Sequence, residues 1–222
     1  MTARVLIVDD HTVLSQALAN ALSLYGISEV QVAAPHQLDG EALLALAGSW
    51  SPDVVLLDMF LGEGRKSTSL VPALRAAGAA VVILTASEDR AVWAEALEAG
   101  AVGVLPKSVA FDELVASVHR AAAGQTLVSG GEGAQLANDL ARSRAADQER
   151  LGPFQRLSAR EQEVLGGLIA GRAATQIARD LGVSLPTVRT HIRSLFDKVG
   201  VNSQRAAVTA ALGAGWKPDR SG

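Results

Sequence analysis

Arg4-Val5-Leu6-Ile7-Val8-Asp9-Asp10 sets a short apolar run directly against two carboxylates. A run this short and this apolar reads as a strand covered on both faces. The same arrangement recurs along the first half of the chain. Val54-Val55-Leu56-Leu57 ends on Asp58, Ala80-Val81-Val82-Ile83-Leu84 ends on Thr85, and Val102-Gly103-Val104-Leu105 stops two residues before Lys107. Val30 to Ala33 supplies a fifth run, and helix-like segments lie between the runs at about residues 12–25, 38–49, 68–77, 88–99 and 111–123. Alternation of this kind predicts an α/β fold, a doubly wound five-stranded parallel sheet covered by right-handed crossovers. In such sheets ligands bind beyond the carboxyl ends of the strands, near the point where the strand order reverses.

That rule gathers Asp9, Asp10, Asp58, Thr85 and Lys107 on one edge. Each carboxylate alone can equally cap the helix that follows it. Together they form a site in which each pair of carboxylates repels by roughly 4 kcal/mol at 4 Å and an effective dielectric near 20. A divalent cation and a lysine offset that repulsion, so the pattern points to magnesium and a phosphoryl group. His11, beside the acidic pair, is expected to begin the first helix and not to bind metal.

The chain has 222 residues and a net charge of −3, divided unevenly. Residues 1–124 carry −7, residues 125–152 carry −1 and residues 153–222 carry +5. A basic tail beside an acidic head suggests a nucleic-acid module joined to one that handles cations. There is no cysteine, which excludes disulfides, thiolate metal sites and cysteine nucleophiles. No stretch reaches the roughly 20 apolar residues of a membrane span, and Met1-Thr2-Ala3-Arg4 leads into a strand without a signal peptide, so a soluble, cytoplasmic protein is expected.

Three segments are expected: a domain over 1–123, a linker over 124–156, and a smaller all-α domain over 157–222. Gly124, Gly130, Gly131, Gly133 and Gly152-Pro153 mark the linker, within which Leu136 and Leu140 at helical spacing predict a helix near 134–150 with a thin docking stripe. In the tail, Ser158 with Glu161 three residues on forms a capping box that opens a helix reaching about Ala170. Gly171 ends it, residues 173–181 form a second helix, Gly182 turns the chain, and Ser184 with Pro186 opens a third. This is a helix-turn-helix, and a fourth helix follows over about 206–212. Arg189, Thr190 and Arg193 fall on one face of the third helix, while Val188, Ile192 and Leu195 read as core.

With those residues laid out, positions 4–122 resemble the flavodoxin-like receiver domain of two-component response regulators. The tail, from Leu157-Ser158-Ala159-Arg160-Glu161 to Thr187-Val188-Arg189-Thr190-His191, resembles the LuxR-type helix-turn-helix of NarL/FixJ response regulators. The resemblance implies that Asp58 accepts a phosphoryl group from a histidine kinase. It implies that Asp9, Asp10, Asp58 and the main-chain carbonyl of Phe60 hold magnesium, and that Lys107 and Thr85 bind the phosphoryl oxygens. It further implies double-stranded DNA as a partner, with Arg189, Thr190 and Arg193 in the major groove and Thr187, Arg179 and Lys198 at phosphates. For Lys198 the alternative is a helix-end charge. The active form is expected to be a homodimer, paired through the fourth helix, that regulates transcription and catalyses only its own phosphotransfer and dephosphorylation.

The chain departs from the receiver pattern in three places. Val104 stands where an aromatic residue usually precedes the lysine by three, Gly62 replaces a proline in the loop Leu61-Gly62-Glu63-Gly64, and Pro106 directly precedes Lys107. The loop is expected to be mobile. Valine has no ring to swing toward the threonine, which leaves open a second reading in which the receiver is a constitutive dimerisation or docking module. A phosphohydrolase of the haloacid dehalogenase type would need a carboxylate where Phe60 stands, and no P-loop or Gly-rich dinucleotide loop is present.

Overall fold

The computed structural model describes residues 3–62 and 64–217. Met1, Thr2, the loop residue Glu63 and residues 218–222 lie outside that description, and with them the expectations made for those positions. The chain divides into two compact units, Met1–Ala141 and Arg142–Gly222.

In the first unit, strands β1 (Arg4–Val8), β2 (Glu29–Val32), β3 (Val54–Asp58), β6 (Ala80–Thr85) and β7 (Gly103–Pro106) form a parallel sheet in the order β2-β1-β3-β6-β7. β1, β3 and β6 are buried almost throughout, so successive residues feed opposite faces. Val5, Ile7, Val54, Leu56, Val82 and Leu84 face a core shared with helices α1 (Thr12–Leu24) and α5 (Phe111–Ala122). Leu6, Val8, Val55, Leu57, Val81 and Ile83 face the core under α2 (Gly40–Trp50), α3 (Val71–Ala76) and α4 (Arg90–Glu98). Asp39 and Asp89 cap α2 and α4 through their side chains. The strand order reverses at β1, which places Asp9 and Asp10 at the crevice beside the end of β3.

Two features were not readable in the apolar pattern. A two-stranded hairpin, β4 (Phe60–Leu61) with β5 (Arg65–Lys66), fills the connection after Asp58, and a 3-10 turn over Ser67–Leu70 leads from it into α3. Strands of two residues carry no periodicity. The second is the length of α6, which runs Gly130–Gln155 through four glycines and Pro153, not 134–150. Proline inside a helix costs about 3 kcal/mol relative to alanine. Burial outweighs local preference here: Leu136 and Leu140 pack on Trp93, Ala94 and Leu97 of α4 in the first unit, a contribution of roughly 3 to 6 kcal/mol before ordering costs. Phe154, next to the proline, is buried in the core of the second unit.

Between α5 and α6 the chain returns along the edge strand β7. The Leu127 N–H donates to the Val102 carbonyl at 2.7 Å. Leu127 fills the space above Gly103, where a Cβ would lie 2.6 Å from the leucine Cβ, so only glycine fits beneath it.

The second unit adds α7 (Ala159–Ile169), α8 (Ala174–Asp180), α9 (Leu185–Val199) and α10 (Gln204–Gly213) around one apolar core. Ser158 and Glu161 form the expected capping box, and Ser184 caps α9. Gly167 on α7 lets Ile177 of α8 approach to where a Cβ would be 2.8 Å away, which sets the close packing of the first two helices. Among the described residues, no helix is long and apolar enough to cross a membrane.

Candidate functional site

β1 and β3 are neighbours in the sheet, with Val8 opposite Leu57, so the residues that follow them emerge side by side. Lys107, just past β7, reaches across that gap. Its Nζ donates to Asp9 Oδ2 at 2.7 Å and to Asp58 Oδ2 at 2.8 Å. Asp9 and Asp58 are both buried, while Asp10 is exposed and its Oδ2 accepts the Gly62 N–H at 3.0 Å. Ligand atoms of Asp9, Asp10, His11 and Asp58 all lie within 4.8 Å of one another. Three carboxylates in that space are the donor set of a hard cation, and the residues fit magnesium.

The ammonium is shared between two acids, and the pair separates accordingly. Burial pushes Asp9 up, but Lys107 and the His11 N–H and ring outweigh it and hold its carboxyl below the usual value. Asp58 goes the other way: burial, reinforced by the charge on Asp9, raises it despite the Lys107 hydrogen bond. Burial disfavours the Lys107 charge, yet its bonds to Asp58 and Asp9 keep it more basic than an ordinary lysine. His11 stands at the N-cap of α1, one residue before the helix begins. Its Nδ1 also lies 3.0 Å from Asp9 Oδ1 and 2.9 Å from Asp10 Oδ1, a closeness that the sequence reading missed and that raises its basicity.

Thr85 closes β6 at the register position beside Pro106, one residue beyond the partner of Asp58. Its buried Oγ accepts the Ser87 N–H at 3.0 Å, and its carbonyl accepts the Lys107 N–H at 2.7 Å. Pro106 costs no ladder bond because it ends an edge strand. Phe60 lies in β4 with its N–H 3.5 Å from Asp58 Oδ1. Ser67, which the sequence did not single out, is buried and donates its hydroxyl to the Asp58 carbonyl at 2.6 Å, fixing the hairpin to the end of β3. Val104 is buried in the core under α4.

In the second unit, Arg189, Thr190 and Arg193 are exposed on α9 and, with Pro186, line one shallow concavity. The Thr190 hydroxyl is turned to the Pro186 carbonyl at 3.1 Å, and the Thr187 hydroxyl bonds to Ser184 at 2.8 Å. Arg179 is exposed at the end of α8. Lys198 is placed differently: its Nζ donates to the buried Glu161 at 2.7 Å. Burial pushes Glu161 up, but Lys198, the Ser194 hydroxyl at 2.6 Å and the Ser158 backbone N–H outweigh it and hold it at about 2.

Two family models match the chain, one described as "Response regulator receiver domain" over residues 5–119 and one as "Bacterial regulatory proteins, luxR family" over residues 155–211. The probable transcriptional regulatory protein NarL of Mycobacterium tuberculosis is 35% identical over 211 residues, covering 94% of this chain and 93% of that protein. The nitrate/nitrite response regulator protein NarP of Escherichia coli is 34% identical over 211 residues, covering 94% of each chain. The crystal structure of the response regulator ChrA of a heme-sensing two-component system shares 30% identity and covers 96% of this chain and 97% of that one, with a TM-score of 0.43. A parallel sheet with an acidic crevice, joined to a helix-turn-helix, is the build of a two-component transcription regulator. Within that class, the chain belongs to the NarL/FixJ-type response regulators, a receiver domain followed by a LuxR-type DNA-binding domain.

Proposed function

We propose that Asp58 is the phosphoacceptor of this response regulator and that its modification controls DNA binding by the tail. The observation that carries the reading is the Lys107 ammonium held between Asp9 and Asp58 at the strand-order reversal. An Asp58 oxygen forms the O–P bond as the N–P bond of the kinase phosphohistidine breaks, and the imidazole nitrogen keeps the electron pair. Lys107 leaves the Asp58 carboxylate for the phosphoryl oxygens, and the Thr85 hydroxyl donates to another of them. Asp9, Asp10, Asp58 and the Phe60 carbonyl would hold magnesium, whose charge offsets that of the carboxylates and the incoming group.

The output is sequence-specific binding to double-stranded DNA. Arg189, Thr190 and Arg193 read base edges in the major groove, while Thr187 and Arg179 contact phosphates. Lys198, committed to Glu161, acts first as a structural cation and contacts phosphate only from its exposed part. Active molecules pair as a homodimer through α10, where Leu212 is exposed, and the protein works in the cytoplasm beside its kinase. The boundaries that follow are a receiver over 1–123, a linker over 124–156 and a DNA-binding domain over 157–222. Incubation with acetyl phosphate and magnesium tests the reading. A phosphoryl adduct on Asp58 and tighter binding to upstream DNA are expected, both lost in Asp58→Asn; stimulation that survives this substitution overturns it.

A further inference from the structure

Residues 126–141 lie over α4 and β7 of the first unit as a strap. The Thr126 hydroxyl and the Leu127 N–H both donate to the Val102 carbonyl, at 3.2 and 2.7 Å, and Leu127 sits over Gly103. Leu136 and Leu140 are buried against Trp93, Ala94 and Leu97, with Val128 packed beside them. Arg90 of α4 bonds to Asp139 at 2.8 Å. The strap is seated on Trp93, and Trp93 is tied to the acidic site by two hydrogen bonds in series. Its indole Nε1 donates to the Ser87 carbonyl at 2.7 Å, and the Ser87 N–H donates to Thr85 Oγ at 3.0 Å. A second tie runs through the hairpin: Gly62 donates to Asp10, Ser67 holds the Asp58 carbonyl, and Lys66 forms an ion pair with Glu95 of α4.

We infer that residues 126–141 are the receiver's output element, held down while the acceptor is free and loosened through Thr85, Ser87 and Trp93 when it is occupied. The inference rests on the acceptor reading of Asp58. Turning the Thr85 hydroxyl toward a phosphoryl oxygen withdraws it from the Ser87 N–H. The turn from Thr85 to Asp89 then loses the bond that fixes its shape, and the Ser87 carbonyl moves from under the Trp93 indole. Packed interfaces shift between discrete arrangements instead of bending continuously, so a small change at Ser87 is passed to the seat of Leu136 and Leu140. This route uses no ring at position 104, where Val104 is locked in the core.

The test uses the full chain with magnesium and beryllofluoride, a phosphoryl mimic that does not transfer. Bound fluoride is followed by fluorine NMR, and hydrogen exchange is followed in peptides from 130–141. On binding, exchange in these peptides should rise about tenfold, within the usual range of coupling between sites. Trp93→Phe keeps an aromatic ring but removes the indole N–H, so it should bind beryllofluoride and show no such rise. Because coupling is reciprocal, Leu136→Ser, or the milder Leu140→Ala, should bind beryllofluoride several-fold more tightly. Binding without a change in exchange overturns this inference alone, as does a wild-type response in Trp93→Phe or unchanged affinity in both strap variants. Absence of both a bound fluoride signal and an acetyl phosphate adduct overturns the acceptor reading, and this inference with it.

Discussion

Lys107 holds the site in its resting arrangement by touching both Asp9 and Asp58. Replacing it with methionine leaves two buried carboxylates facing each other and, in the proposed transfer to Asp58, takes away a donor to the phosphoryl group. The rate of Asp58 modification by acetyl phosphate, read by intact mass, should fall roughly 100-fold, as when one preorganised donor is removed from a transition state. The loss should appear in the rate while the far-ultraviolet circular dichroism stays that of the parent. At this scale the sequence was most informative where a residue ends a strand or directly follows one, because strand direction and order fix where its Cα must lie. Asp9, Asp58, Thr85 and Lys107 are of that kind. Ser67, Ser87 and Trp93 are not, since their contacts depend on the path of a loop or on the turn of a short helix, which apolar periodicity does not specify.

The capping box at the start of α7 does more than satisfy backbone donors, because Glu161 also receives Ser194 and Lys198 from α9. Its carboxyl is held at about 2 against an ordinary 4.5. A depressed folded value contributes stability that is complete above roughly pH 5 and fades as pH falls toward about 2, up to about 3 kcal/mol. Urea unfolding of the second unit, followed by Trp216 against Phe154, should show that slope. Glu161→Gln should flatten it. Lys198→Met should destabilise the unit by about 1 to 3 kcal/mol, because it strands a buried charge. The capping box was plain in the sequence, but its partners on α9 were not, since they lie 33 and 37 residues away. The same limit explains α6, where glycines and a proline mark a break by local propensity and tertiary burial overrides it at both ends.

The division of charge, −7 in residues 1–124 and +5 in residues 153–222, was legible from composition and sets the character of DNA binding. Arg189→Ala or Arg193→Ala should weaken binding to the specific site by roughly 5- to 150-fold and relax preference at the contacted base. Arg179→Ala should weaken binding evenly across sequences and reduce the salt slope by about one, measured by fluorescence anisotropy at several ionic strengths. The contact of Leu127 over Gly103 matters at this scale as well. It covers part of an edge strand whose backbone groups would otherwise be a template for strands from other molecules. Alanine at position 103 would push Leu127 aside and uncover that template, so the protein's colloidal behaviour at high concentration depends on the absence of a single methyl group.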